Sequence, residues 1–128
     1  MPKEVLQPKS LWVPKAPYSH GIKKGQIVFT AGQDARDASG KLAGVGDMAA
    51  QTEQCLKNLQ AVLAEAGATL DDVVKCTVFL SDIRYFETMN EVYRTFFPDE
   101  KPARSTVEAR LALPEMLVEV EAVAVLDE

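Results

Sequence analysis

The sequence predicts an α+β fold in which one β-sheet carries two helices on a single face. Three observations lead there. The chain runs through strand-like and helix-like patterns in the order β-β-α-β-α-β-β, with the last pair read as one hairpin. Each helical segment has only one apolar stripe, so both helices must lie on one sheet face with their backs in water. The length of 128 residues, with 47% apolar and 26% charged residues, fits a single domain over residues 1–128.

Pro2, Pro8, Pro14 and Pro17 make the first twenty residues an extended lead-in with at most a short edge strand. Ser19–Ile22 and Gln26–Ala31 are expected as strands joined by a tight turn at Lys23-Lys24-Gly25. Gly32 ends the second strand, and residues 37–46 form a loop rich in Gly, Ser and Asp. Asp47 is placed to cap a helix that runs to about Ala66. In that helix Leu56, Leu59, Val62, Leu63 and Ala66 make the stripe, and Gly67 supplies the left-handed stop.

Val73–Leu80 is strand-like, with Val74, Cys76, Val78 and Leu80 expected on one face. A second helix is expected from about Ile83 to Phe97, with Ile83, Phe86, Met89, Tyr93, Phe96 and Phe97 inward and Pro98 as its stop. Ser105–Leu111 and Leu117–Leu126 then form the closing strands, around a turn containing Pro114. On the last strand Val118, Val120, Ala122, Ala124 and Leu126 alternate with Leu117, Glu119, Glu121, Val123 and Val125, so both faces are substantially apolar. That second apolar face needs a cover, and the simplest cover is another copy of the chain.

The net charge of -5 disfavours nucleic acid and anionic membranes as main partners. No apolar run reaches bilayer length, and Met1-Pro2-Lys3-Glu4 lacks the order of a secretory signal, so a cytoplasmic location is expected. Cys55 and Cys76 match no metal or redox spacing and are expected to be buried, reduced thiols. No phosphate loop, nucleophile elbow or dinucleotide fingerprint occurs. His20 is the only histidine, which removes the usual zinc sites and histidine-based triads, and it is expected at the surface or in a turn.

The remaining chemistry lies in the last third. Alternation puts Arg104, Thr106 and Glu108 on one strand face, with Arg104 held at a strand start behind Pro102. Its planar fork suits a carboxylate ligand, or equally a salt bridge to Glu108 or Glu121. Glu119 and Glu121 sit mid-strand among apolar residues, where a carboxylate needs either a partner or a water to activate, and periodicity does not choose between them.

Several ordered segments resemble one family. Ala16-Pro17-Tyr18-Ser19-His20-Gly21, Val28-Phe29-Thr30-Ala31-Gly32-Gln33, the Gln51–Gly67 segment, and Val74–Leu80 are followed by Pro102-Ala103-Arg104-Ser105 and Val118–Ala124. Together they are similar to the reactive intermediate deaminase (Rid, or YjgF) family, from about Pro17 to Val125. The resemblance implies a chorismate-mutase-like mixed sheet with two helices on one face, assembled as a homotrimer with sheets facing inward and clefts between subunits. It implies hydrolysis of 2-imino acids and enamines to 2-keto acids and ammonia, with no metal or organic cofactor.

Carried over by position, the resemblance makes Arg104 the carboxylate clamp and Glu119 the residue that holds the water. It places Tyr18, Ala31, Asn90 and Thr106 along the same substrate cleft. Ala31 stands where many imine-hydrolysing members have serine. Thr106 stands where many have cysteine, which leaves no thiol nucleophile there. The sequence is also compatible with a deaminase dedicated to one catabolic enamine such as an aminomuconate, with a non-catalytic protein that binds a keto acid, and with an RNA-directed activity that the acidic charge disfavours.

Overall fold

A computed structural model of the chain describes residues 2–127. Its elements are β1 (Glu4–Leu6), β2 (Gly21–Lys24), β3 (Ile27–Thr30), α1 (Met48–Glu65), β4 (Val73–Leu80), α2 (Phe86–Phe96), β5 (Ala103–Glu108) and β6 (Val118–Val125). The six strands form one mixed sheet in the order β1-β2-β3-β6-β4-β5, so the predicted fold class holds. All neighbours are antiparallel except β4 and β5, which are parallel and linked through α2. No helix among the described residues is long and apolar enough to cross a membrane.

The local signals placed α1 well. The Asp47 side chain accepts the Ala50 N–H at the N-terminus, and Gly67 takes a φ of 77° after the last turn. Leu56, Leu59, Val62 and Leu63 are fully buried against the sheet row of Val28, Val78, Val118, Val120 and Ala124. Gln51 ties the same helix to the chain before β6. Its Nε2 donates to the Gly44 and Glu115 carbonyls at 3.2 and 3.0 Å, and its Oε1 accepts the Leu117 N–H at 2.9 Å.

Five expectations are corrected. The closing strands are not a hairpin, because β4 lies between β5 and β6 and the 109–117 segment crosses its end. Strand β5 starts at Ala103 and ends at Glu108, since its ladder is set by Lys75–Leu80 of its parallel partner. The β2–β3 turn closes tighter than expected, with Lys24 opposite Ile27 and Gly25 at a φ of 61° in the first loop position.

The fourth correction concerns Val74, which is half exposed and off the inward row. The ladder with β6 shifts between Val73 and Lys75, so this bulge gives Val73 the buried place instead. The fifth concerns Ile83, which sits in a separate 3-10 turn (Ile83–Tyr85) and is exposed, while Met89, Tyr93 and Phe97 are buried. Both cysteines are buried and unpaired, as expected.

The register fixes two faces. Arg104, Cys76 and Ala122 lie side by side toward the helices, as do Thr106, Val78 and Val120. The opposite face carries Glu119 beside Phe79 and Val107, then Glu121 beside Thr77 and Ser105. Phe29, Val123 and Lys75 continue it. On this open face Phe29 is 53% exposed, and Ile27, Val107 and Val125 are each more than 40% exposed.

Candidate functional site

The sequence-predicted residues fall into two groups on opposite sides of the sheet. Arg104 heads β5 on the helix side. Its guanidinium carbon lies 4.7 Å from the Tyr93 ring centre and 5.5 Å from that of Phe86, and one of its nitrogens is 3.9 Å from the Met89 sulfur. A cleft of about 250 Å³ opens there, lined by Asn90, Tyr93, Arg94, Lys101, Pro102 and Arg104.

Three cations and no carboxylate line this cleft. Arg104 takes part in none of the ion pairs among the described residues. Glu108, one salt-bridge candidate, instead accepts the Ile83 N–H at 2.9 Å, and Glu121 is on the other face. The guanidinium fork therefore keeps its charge available for an anion.

Two other polar atoms in the cleft lack partners. The Asn90 amide nitrogen donates to Glu87, but its Oδ1 is buried without a hydrogen bond, as is the Tyr93 hydroxyl. Burial, with Cys76 beside it, pushes the Tyr93 phenol well above its usual range, so it is a neutral donor. Thr106 follows on the same strand face two residues beyond Arg104 and opposite Val78.

The second group gathers around Glu119 and the end of β3. Phe29 pairs with Val123 and Gln33 bridges to Val120, so four steps on one strand meet three on the other. The extra residue bends Ala31-Gly32 out of the ladder, and Gly32 packs directly on the Glu119 side chain. Burial raises the Glu119 carboxyl, with help from the charges of Asp34 and Glu121, while Arg36 works in the other direction.

His20 is not at the surface. It is fully buried, its Nε2 meets the Trp12 carbonyl at 2.7 Å, and its Nδ1 meets the Gln33 amide nitrogen at 3.2 Å. The carbonyl can only accept, so Nε2 carries the proton and Nδ1 accepts from Gln33. Burial lowers its pKa and keeps it neutral. It pins the proline-rich lead-in onto the sheet, and this brings Tyr18 to the β3 end. No pattern in the sequence flags that contact, because its partners lie on three separate segments.

Residues 9–126 match the family model described as Endoribonuclease L-PSP. A RutC family protein of Pyrococcus abyssi is 44% identical over 124 residues, which is 97% of this chain and 98% of that one. The chain belongs to the Rid (YjgF) family. A Rid-family protein from Yersinia pestis, solved by crystallography and of unknown function, superposes with a TM-score of 0.91 at 36% identity, covering 98% of this chain and 100% of that one. Among curated Rid relatives, the 3-aminoacrylate deaminase RutC of Acinetobacter baylyi is 38% identical over 97% of this chain and 98% of its own.

The structure brings Gly32, Trp12, Asp34, Arg36 and Tyr93 next to the candidate site residues, and the sequence alone singled out none of them for a site. Tyr93 was legible only as part of the inward stripe. Asp34 and Arg36, two residues apart in a polar loop, were the available signal for a local ion pair.

Proposed function

We propose that this Rid-family chain hydrolyses small 2-imino acids and their enamine tautomers to 2-keto acids and ammonia, in clefts completed between copies of a homotrimer. The observation that carries the reading is the split of the site. Arg104 and Glu119 point from opposite faces of one sheet, so a single copy cannot hold one small substrate with both. The exposed apolar face around Phe29, Ile27, Val107 and Val125 supplies the contact surface for a second copy.

In the proposed reaction Arg104 takes the substrate carboxylate in two parallel hydrogen bonds, and Arg94 and Lys101 reinforce the positive field. Glu119 accepts a proton from water as its oxygen adds to the imine carbon. That proton passes to the nitrogen to give a neutral carbinolamine. Its hydroxyl proton moves to the amine as the C–N bond breaks, so the ketone forms and the nitrogen leaves as ammonia. Asn90 lines the Arg104 half of the proposed cleft and Thr106 follows Arg104 on the same strand face, while Tyr18 and Ala31 belong to the Glu119 half that a second copy supplies. Holding the carboxylate and one water in register supplies most of the acceleration, because the imine carbon is already electrophilic. The deaminase activity of the Acinetobacter relative supports the same class of chemistry.

A mixing experiment tests the split. Arg104→Ala and Glu119→Gln proteins are each expected to be inactive. Co-refolded at equal amounts, they should recover about one quarter of wild-type turnover, because each cleft draws one group from each of two copies. No recovery means both groups act from one copy, which sinks the shared-cleft reading.

The pH profile is a second test. Glu119 must be ionised to accept the proton, and its carboxyl is raised from the ordinary 4.5. Activity is therefore expected to be present above the raised value and lost as pH falls through it, at a midpoint higher than 4.5. A kcat/KM profile flat down to pH 4.5 removes Glu119 from the role of base.

A further inference from the structure

We propose that Trp12 and Arg36 are positioning residues that commit the Tyr18 hydroxyl to donating its hydrogen to an acceptor atom of the bound ligand. The Tyr18 oxygen receives two hydrogen bonds, from Trp12 Nε1 at 3.3 Å and from Arg36 Nη2 at 3.3 Å. An indole N–H and a guanidinium can only donate. Both acceptor positions of the phenol oxygen are thus filled, and its own hydrogen is left for a third partner. Tyr18 is 39% exposed and opens onto a cavity of about 640 Å³, so that partner comes from outside the cluster.

The two donors are themselves locked. Asp34 takes Arg36 in a fork, Nε to Oδ1 at 2.9 Å and Nη2 to Oδ2 at 3.0 Å. The Asp34 side chain is almost wholly buried, and the Asn58 amide of α1 holds the backbone carbonyls of Asp34 and Arg36 at 3.1 and 2.8 Å. The Arg36 guanidinium then covers the face of Trp12 at 4.3 Å from the ring centre, while His20 meets that ring edge-on at 4.5 Å. Five residues from three segments therefore aim one hydroxyl. A ligand with a lone pair there, such as a keto oxygen or an imine nitrogen, satisfies the hydroxyl. A methylene in the same place leaves it unpaired.

This inference rests on the proposed clefts between copies taking small 2-keto and 2-imino acids, and the experiment separates the two. In those clefts the Tyr18 cavity of one copy, which shares no lining residue with that copy's own Arg104 cleft, faces the Arg104 cleft of another. Pyruvate affinity is measured by calorimetry for wild type, Tyr18→Phe, Trp12→Phe and the double variant. Trp12 is the only tryptophan, so its indole N–H resonance is followed by NMR in ligand-free wild type and Tyr18→Phe, and its loss in Trp12→Phe assigns the signal. Tyr18→Phe should weaken pyruvate about tenfold and Trp12→Phe about threefold. The double variant should be no weaker than Tyr18→Phe alone, because Trp12 acts only through the hydroxyl.

Arg36→Gln should follow Trp12→Phe, and Arg36→Lys should not rescue it, because lysine cannot fork Asp34 and reach Tyr18 together. In the ligand-free protein Tyr18→Phe should move the indole resonance upfield. Additive losses in the double variant overturn the proposal, since they assign both residues to packing. An indole resonance indifferent to Tyr18→Phe overturns it as well. A wild type that ignores pyruvate, with the indole shift present, overturns the substrate reading and leaves the indole result to support the hydroxyl's alignment.

Discussion

Replacing Arg104 with alanine should lower kcat/KM by about 10²–10³ while leaving the fold intact, and lysine at the same position should recover little of it. The aromatic platform explains both halves of that expectation. Tyr93 and Phe86 flank the guanidinium, and no carboxylate among the described residues pairs with it. A lysine ammonium keeps the charge but neither stacks as a plane nor offers two parallel donors. The check is ammonia and keto-acid release from imines generated in place by an amino-acid oxidase, with semicarbazide trapping what escapes. An alanine variant within about threefold of wild type, against the large loss expected on removing a charged clamp, takes the clamp away from Arg104.

Gly32→Ala should cut kcat by about 30- to 100-fold with little change in KM. Gly32 is not among the glycines with positive φ, so alanine meets no backbone penalty there. Its Cβ instead collides with the Glu119 carboxylate, standing 2.7 Å from Cδ and 2.9 Å from Cγ. The cheap response is a rotation of the glutamate away from its place, which moves the group proposed to hold the water while the Arg104 cleft stays as it was. Steady-state kinetics beside a thermal melt test this. A preserved melting temperature with reduced kcat fits displacement of Glu119. Unchanged kcat shows that turnover does not need the carboxylate at that point.

These two residues also show where the sequence was legible. Alternation within β5 put Arg104 and Thr106 on one side, and alternation within β6 separated Glu119 from Val118 and Val120, and both hold. The relative parity of the two strands was out of reach. It depends on β4 lying between them, a non-local pairing that no single strand's pattern encodes. Helix α1 was readable because its cap, stripe and stop are all local. The burial of Val73 in place of Val74 depends on a bulge, and the burial of His20 on a lead-in folding back over it. The Trp12–Arg36–Tyr18 cluster has the same character: each member is ordinary in its own segment, and only the folded chain makes them neighbours.

The two thiols report on how the molecule opens. Cys55 is sealed between α1 and β6, with its Sγ 3.5 Å from the Val118 carbonyl, and burial drives its ionisation far above the usual thiol range. Cys76 is raised too, by burial beneath α2. Neither reacts while the structure is closed, because attack needs a thiolate that solvent can reach. Modification by an external disulfide reagent therefore counts openings of the molecule. The Cys76 rate times the lifting of α2 from the sheet edge, and the Cys55 rate times the parting of the central core. The chain carries two internal clocks of its own dynamics, and neither requires an added label site.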